Sequence, residues 1–292
     1  MDGKLIGVAA ALLVSASWAA GTVTLKKVGD ELSSFAMTLF KGLVSLALLA
    51  VPLFFLGFER MDAQTLMLLG LSGLLGIAVG DTCFFEALKD LGPLSLVLLM
   101  IVGQILTIVF AVVFLGERPT WIKWAGIALV LAGIAVVLSG NLGGGRFAVG
   151  LRGLAFGMVS VLSMAVGSIL VKQALGADTG TLQATLVRMA AGTGGMVVYG
   201  LLARKIGAWM NPFREMRVVV PFVAAVVIVT YGAFWLGTVA FKHLDLHVAQ
   251  PLVSLEPLFV LPLAAVFLKE KITWRAAGGT AVSVAGVVLL CM

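Results

Sequence analysis

Of the 292 residues, 61% are apolar and only 12% are charged; 20 Lys and Arg stand against 14 Asp and Glu, for a net charge of +6. Globular domains carry about 25% charged residues, so this chain cannot clothe a water-facing surface, and its main solvent is a lipid bilayer. The basic residues are scattered over many short loops rather than gathered in a patch, which sets aside nucleic acid as a partner and leaves membrane orientation as the reason for the surplus.

A hydrocarbon core about 30 Å thick is crossed by roughly 20 helical residues. Apolar runs between charged or Gly/Pro breaks therefore predict spans near 4–25, 33–57, 65–88, 94–115, 121–139, 151–172, 181–203, 218–241, 247–268 and 274–291. The fold class is all-α, with ten transmembrane helices and no room for a soluble domain. The 35 glycines serve as packing material, because small residues let helices approach closely in lipid. Cys83 and Cys291 lie far apart in apolar runs without a CxxC partner and read as free thiols, uninformative about redox compartment.

The stretch at 139–146, SGNLGGGR, falls near the midpoint and reads as a linker between two five-span units, 1–140 and 147–292, that form one integrated transmembrane domain. The units resemble each other. SWAAGTVTLKK from Ser17 aligns with SMAVGSILVKQ from Ser163, matching Gly21 with Gly167. Lys41 aligns with Arg188, and each follows a threonine three residues earlier, Thr38 and Thr185. FLGERPTWIKWAG from Phe114 aligns with FLKEKITWRAAG from Phe267, and the register continues to Gly133 and Gly286. An odd number of spans per unit makes the second enter the membrane from the opposite side, an inverted repeat suited to alternating access about a central site. Lys4, an apolar run and the small residues at Ala16 to Gly21 imitate a secretory signal peptide. Removing them would leave the sixth span without its counterpart, so the segment is expected to be retained.

Ionisable groups inside a span cost about 2.5–3.5 kcal/mol on insertion scales and normally face the bundle interior. Lys41, Asp81, Glu86, Arg188 and Glu256 are the candidates for coupling charges or for ties between the repeats. Asp81 and Glu86 are separated by roughly 140° around a helix. Asp81, sharing its face with Phe84 and Phe85, is the expected cavity residue, with a structural ion pair as the competing assignment. Glu86 is expected to pair with Lys89. Pro257 after Glu256 removes a hydrogen bond and predicts a bend with free carbonyls; pairing of Glu256 with Lys41 or Arg188 is the alternative. Lys41 and Arg188, about eight residues into their spans, read as structural or as snorkelling to an interface.

A cavity for an organic solute needs apolar walls and a few polar groups. The expected lining is Trp18, Thr22, Asp81, Phe84, Phe85, Gln104, Ser163, Met164, Ser168, Tyr231, Phe234, Trp235, Gln250 and Glu256. Trp121 and Trp274, at span starts, belong to interfacial belts. His243, Asp245 and His247 imitate a metal site but read better as an interfacial helix start, so neither metal nor cofactor is expected. The chain lacks HExxH, GxSxG, P-loop and dinucleotide signatures, which argues against an enzyme. A solute transporter leads, and a lipid-translocating or channel-like protein is the alternative.

The duplicated motifs, with FFEALKDLGPLSL, GTVAFKHLDLHVA and above all LEPLFVLPLAAVFLKEKITW, resemble the EamA-type branch of the drug/metabolite transporter superfamily over nearly the whole chain. The resemblance implies a ten-helix basket in the inner membrane, a central cavity lined by the first, third and fourth spans of each half, and export of amino acids, metabolites or drugs. Its partners would be a small-molecule substrate, the lipid bilayer and, as coupling ion, protons. Span four departs from the pattern, with Gly103 and Gln104 where the second half has Glu256 and Pro257. Basic residues collect in loops after the odd-numbered spans, so the positive-inside rule expects both termini outside the cytoplasm, whereas relatives are usually drawn with cytoplasmic termini.

Overall fold

The computed structural model describes residues 3–29, 32–139, 150–176, 178–259 and 274–292, so the expected linker lies outside the described residues. The fold is all-helical, and no strand occurs among the described residues. Helix α1 spans Gly3–Gly29, α2 Ser34–Leu56 and α3 Ala63–Gly73; the last continues as a π-helical segment, Leu74–Asp81, into α4, Thr82–Phe114. Then come α5 (Trp121–Ser139), α6 (Leu151–Ala174), α7 (Thr181–Leu202) and a short α8 (Ile206–Met210). Helix α9 (Met216–Ile228) passes through a second π-helical segment, Val229–Trp235, into α10 (Leu236–His243); α11 (Leu246–Val253) and α12 (Trp274–Cys291) follow. Six helices among the described residues are long and apolar enough to cross a membrane, and three shorter apolar helices accompany them.

Local chemistry sets several boundaries. Ser33 caps α2 by accepting from the Ala36 amide at 3.1 Å, and Gly57, at φ 86°, takes the left-handed turn that ends it. Asp62 caps α3 through the Thr65 amide. The exposed Asp62 carboxylate is held below its ordinary pKa by that hydrogen bond. Trp121 and Trp274 are almost fully exposed at helix starts, as interfacial residues would be.

The gap expected between the third and fourth spans is not a break in helical bonding, since α4 runs through it. Yet α4 is not straight. A Cβ at Gly157 of α6 would lie against both Ala87 and Leu99, which a straight helix would hold about 18 Å apart. Ser160 and Val161 likewise meet Gly80 and Gly103. The chain therefore folds back near Leu91, and α6 packs against both arms. Span nine behaves differently: α11 stops at Val253, Ser254 and Leu255 form a turn, and helix resumes at Glu256. The bend expected at Pro257 thus falls just before it.

Small residues bring helices together in antiparallel pairs. In α2 and α7, Phe35 stacks on Tyr199, Gly42 meets Thr193, and Glu59 shares two hydrogen bonds with Gln183. In α5 and α12, Gly126 faces Gly286 and Leu290 while Gly133 faces Gly279 and Ser283. Helix α1 runs antiparallel to α9 and α10, and α6 to α3 and the first arm of α4. The aligned glycines Gly21 and Gly167 meet Val229 and Gly76, one in each π-helical segment. Such segments carry wider turns and frequently mark functional sites.

Candidate functional site

The end of the first π-helical segment carries Asp81, and its carboxylate forms an ion pair with Lys41 of α2. Both side chains are nearly inaccessible, at 4% and 6% exposure. Snorkelling is therefore excluded for Lys41, whose ammonium points inward and also lies 4.7 Å from the ring centroid of Phe234, in the second π-helical segment. Trp18 of α1 meets the same ring edge-on, with centroids 5.7 Å apart. Of the expected lining, Trp18, Asp81 and Phe234 are thus assembled around Lys41.

Arg188 of α7 stands near this cluster. Its Nε donates to the Ser72 hydroxyl at 3.0 Å, and Ser72 donates to the Gly167 carbonyl at 2.7 Å. The guanidinium is close enough for its charge to act on Asp81. The threonines ahead of the two basic residues are anchored alike: Thr38 meets Thr82 at 3.3 Å, and Thr185 meets Thr238 at 3.0 Å.

Other expected lining residues serve helix packing. The Tyr231 hydroxyl donates to the Leu48 carbonyl, and Trp235 Nε1 to Thr181 Oγ1 at 3.2 Å. Phe84 and Phe85 form an edge-to-face pair, but Phe85 is buried in an apolar cluster with Trp209 and Phe222, away from the ion pair. Met164 lies beside Gly80, Ser163 is half-buried, and Ser168 bonds back to the Met164 carbonyl. Gln250 is buried on α11. Gln104 is half-buried, with its Oε1 lacking a partner among the described residues. The Thr22 side chain lies outside the described residues. Glu256 opens the helix after the span-nine turn. Neither Lys41 nor Arg188 pairs with it.

One local expectation is corrected. Glu86 pairs with Arg152 at 3.0 Å, not with Lys89, because α6 brings a guanidinium to the outer end of the third span. Lys89 instead donates to the Leu32 carbonyl at 3.1 Å. His247 directs Nδ1 to Glu117 rather than joining His243.

The cross-helix hydroxyls were missed. Ser15 of α1, fully buried, lies 2.6 Å from the Leu252 carbonyl and 2.9 Å from that of Val253, at the span-nine break. Serine in an apolar helix gives no signal of its target. Lys172, at the end of α6, donates to the Phe241 and Leu244 carbonyls at 2.7 and 2.6 Å.

The fold is shared with a solved crystal structure that is 21% identical, with a TM-score of 0.76 and coverage of 99% of this chain and 98% of that one. A protein from Streptantibioticus cattleyicolor described as a probable terminal-alkyne amino-acid exporter is 32% identical over 99 residues, covering 32% of this chain and 31% of that protein. The matched region thus spans less than a third of that relative. The profile of the EamA-like transporter family matches residues 5–139 and again 151–292. This multi-pass membrane chain belongs to the EamA-like transporter family of the drug/metabolite transporter superfamily, a family of transporters and not of enzymes.

Proposed function

We propose that the protein is a secondary transporter that exports small organic solutes, such as amino acids or related metabolites, across the inner membrane by alternating access. Its ten spans form two inverted five-helix repeats, 1–140 and 147–292, of which the second arm of α4 is the fourth span and α11 with the helix resuming at Glu256 is the ninth. The antiparallel packing of α2 on α7 and of α5 on α12 supports this, because these are the helices whose sequences correspond. Corresponding helices of an inverted repeat run in opposite directions.

One observation carries the reading. Lys41 of the first half pairs with Asp81 of its own half and lies against Phe234 of the other, so a buried charge pair abuts the seam where the halves must rock. A carboxylate whose ion-pair partner also touches the opposite repeat is positioned to exchange that partner for a substrate or a proton as the seam opens. Trp18 and Phe234 supply apolar wall, and lipid surrounds the bundle.

Counterflow in proteoliposomes tests this. Vesicles preloaded with unlabelled amino acids should accumulate the labelled solute, and an imposed pH gradient should alter the rate if protons are coupled. A protein that shows no counterflow for amino acids, nucleosides or cationic drugs is not this transporter.

A further inference from the structure

Arg188 is held in an unusual way for a cation inside a span. It is the eighth residue of α7, about 10 Å along a membrane-length helix. Nevertheless it keeps accessible surface. Its Nε is committed to Ser72, and Ser72 is itself committed to the Gly167 carbonyl. This fixes the plane of the guanidinium. Among the described residues its two terminal amino groups have no hydrogen-bond acceptor, and no carboxylate lies within ion-pair distance. Asp81 acts on it only through space, since that carboxylate is taken by Lys41.

A guanidinium with Nε occupied presents the end-on pair of amino groups, whose parallel donors match the two oxygens of a carboxylate. A cation at membrane depth normally carries a partner. From this geometry we infer that Arg188 is the anchor for the carboxylate of the transported solute, with Ser72 as the residue that orients it. The inference rests on the transporter reading above and narrows it to carboxylate-bearing substrates.

The test uses purified full-length protein in detergent and three related probes: L-norvaline, its deaminated analogue pentanoate, and its decarboxylated analogue butylamine. The readouts are the thermal unfolding midpoint and the rate at which phenylglyoxal modifies Arg188, followed by peptide mass spectrometry. Norvaline and pentanoate should raise the midpoint and slow the modification; butylamine should do neither. Arg188→Gln should weaken carboxylate affinity by about tenfold to a hundredfold, Arg188→Lys by less, and Ser72→Ala should weaken it while leaving the charge in place. The labelling arm needs no variant, so misfolding of R188Q does not blunt the test. Protection by pentanoate without protection by norvaline upholds the anchor and defeats the amino-acid reading. Butylamine protecting as well as norvaline, or neither carboxylate slowing the modification, overturns the anchor even if amino-acid flux is measured.

Discussion

The imidazole Nδ1 of His247 lies 2.6 Å from Glu117 Oε2, tying the loop after α4 to the first turn of α11. Glu117 also accepts from the Leu246 and His247 amides at 2.7 and 3.0 Å, while Lys172 caps the carbonyls at the end of α10. The break between α10 and α11 therefore has an anion on its amide side and a cation on its carbonyl side, as helix dipoles favour. Burial alone would raise the Glu117 pKa, but the hydrogen bonds from the His247 ring and from the two amides outweigh it, so the carboxyl sits below its ordinary 4.5. A lowered carboxyl contributes stability that is complete above pH 4.5 and disappears as the pH falls through the folded value. Glu117→Gln should cost about 2 kcal/mol at neutral pH, seen as a lower unfolding midpoint. The gap from wild type should close as the pH drops below 4.5; a gap that persists unchanged at pH 3 would show that the charge does not matter.

Lys41 and Asp81 form a second testable pair. Removing one partner of a buried pair leaves an uncompensated charge and costs about 3–5 kcal/mol, whereas replacing both with apolar residues is often near neutral. Lys41→Leu or Asp81→Leu alone should give poorly folded protein, and the double variant should recover the unfolding midpoint. If the pair takes part in transport, the recovered double variant remains without flux in proteoliposomes. Full flux in the double variant would make the pair purely structural.

Ser15 offers the break in span nine its donor. At the turn Ser254–Leu255 the Leu252 carbonyl keeps only a long bond from the Leu255 amide, at 3.3 Å, and the Ser15 hydroxyl lies within reach of both the Leu252 and the Val253 carbonyls. Ser15→Ala should remove this donor from a buried site and lower stability by about 1–2 kcal/mol. Ser15→Thr, which keeps the hydroxyl, should lose less. Equal midpoints for wild type and S15A in thermal unfolding would show that another donor serves those carbonyls.

These cases separate what the sequence carries from what only tertiary structure supplies. Spans were legible because lipid sorts residues by polarity alone, and Lys41, Asp81 and Arg188 were legible as charges in apolar runs. Their partners were not. Lys41 reaches Asp81 across 40 positions and Phe234 across far more, so no local rule names either contact. The rule that pairs neighbours on one helix failed at Glu86 because a guanidinium 66 positions away competes better than Lys89. The π-helical segments, LLGIAVGD and VTYGAFW, have no residue pattern that marks a wider helical turn, so they left no readable trace. Tyr231 and Trp235 have the composition of cavity walls, yet each spends its polar atom on a neighbouring helix.

The seam between α5 and α12 gives the most direct check on the direction of threading. A Cβ at Gly286 would come within 2.7–2.8 Å of the Val130 amide and the Gly126 carbonyl, closer than real contacts allow, so the two backbones touch. In lipid such closeness is the source of helix association, since no hydrophobic force draws the helices together. Gly286→Val should push the pair apart and cost about 1–3 kcal/mol. The same packing brings Gly133 beside Ser283, and only an antiparallel arrangement also sets Gly126 beside Gly286. With Cys83 and Cys291 replaced, the double variants Gly133→Cys with Ser283→Cys and Gly126→Cys with Leu290→Cys should each form a disulfide in membranes under mild oxidation, and Gly126→Cys with Ala276→Cys should not. Cross-linking of Gly126→Cys to Ala276→Cys and not to Leu290→Cys would mean that the helices run in the same direction, and the two repeats would then not be inverted.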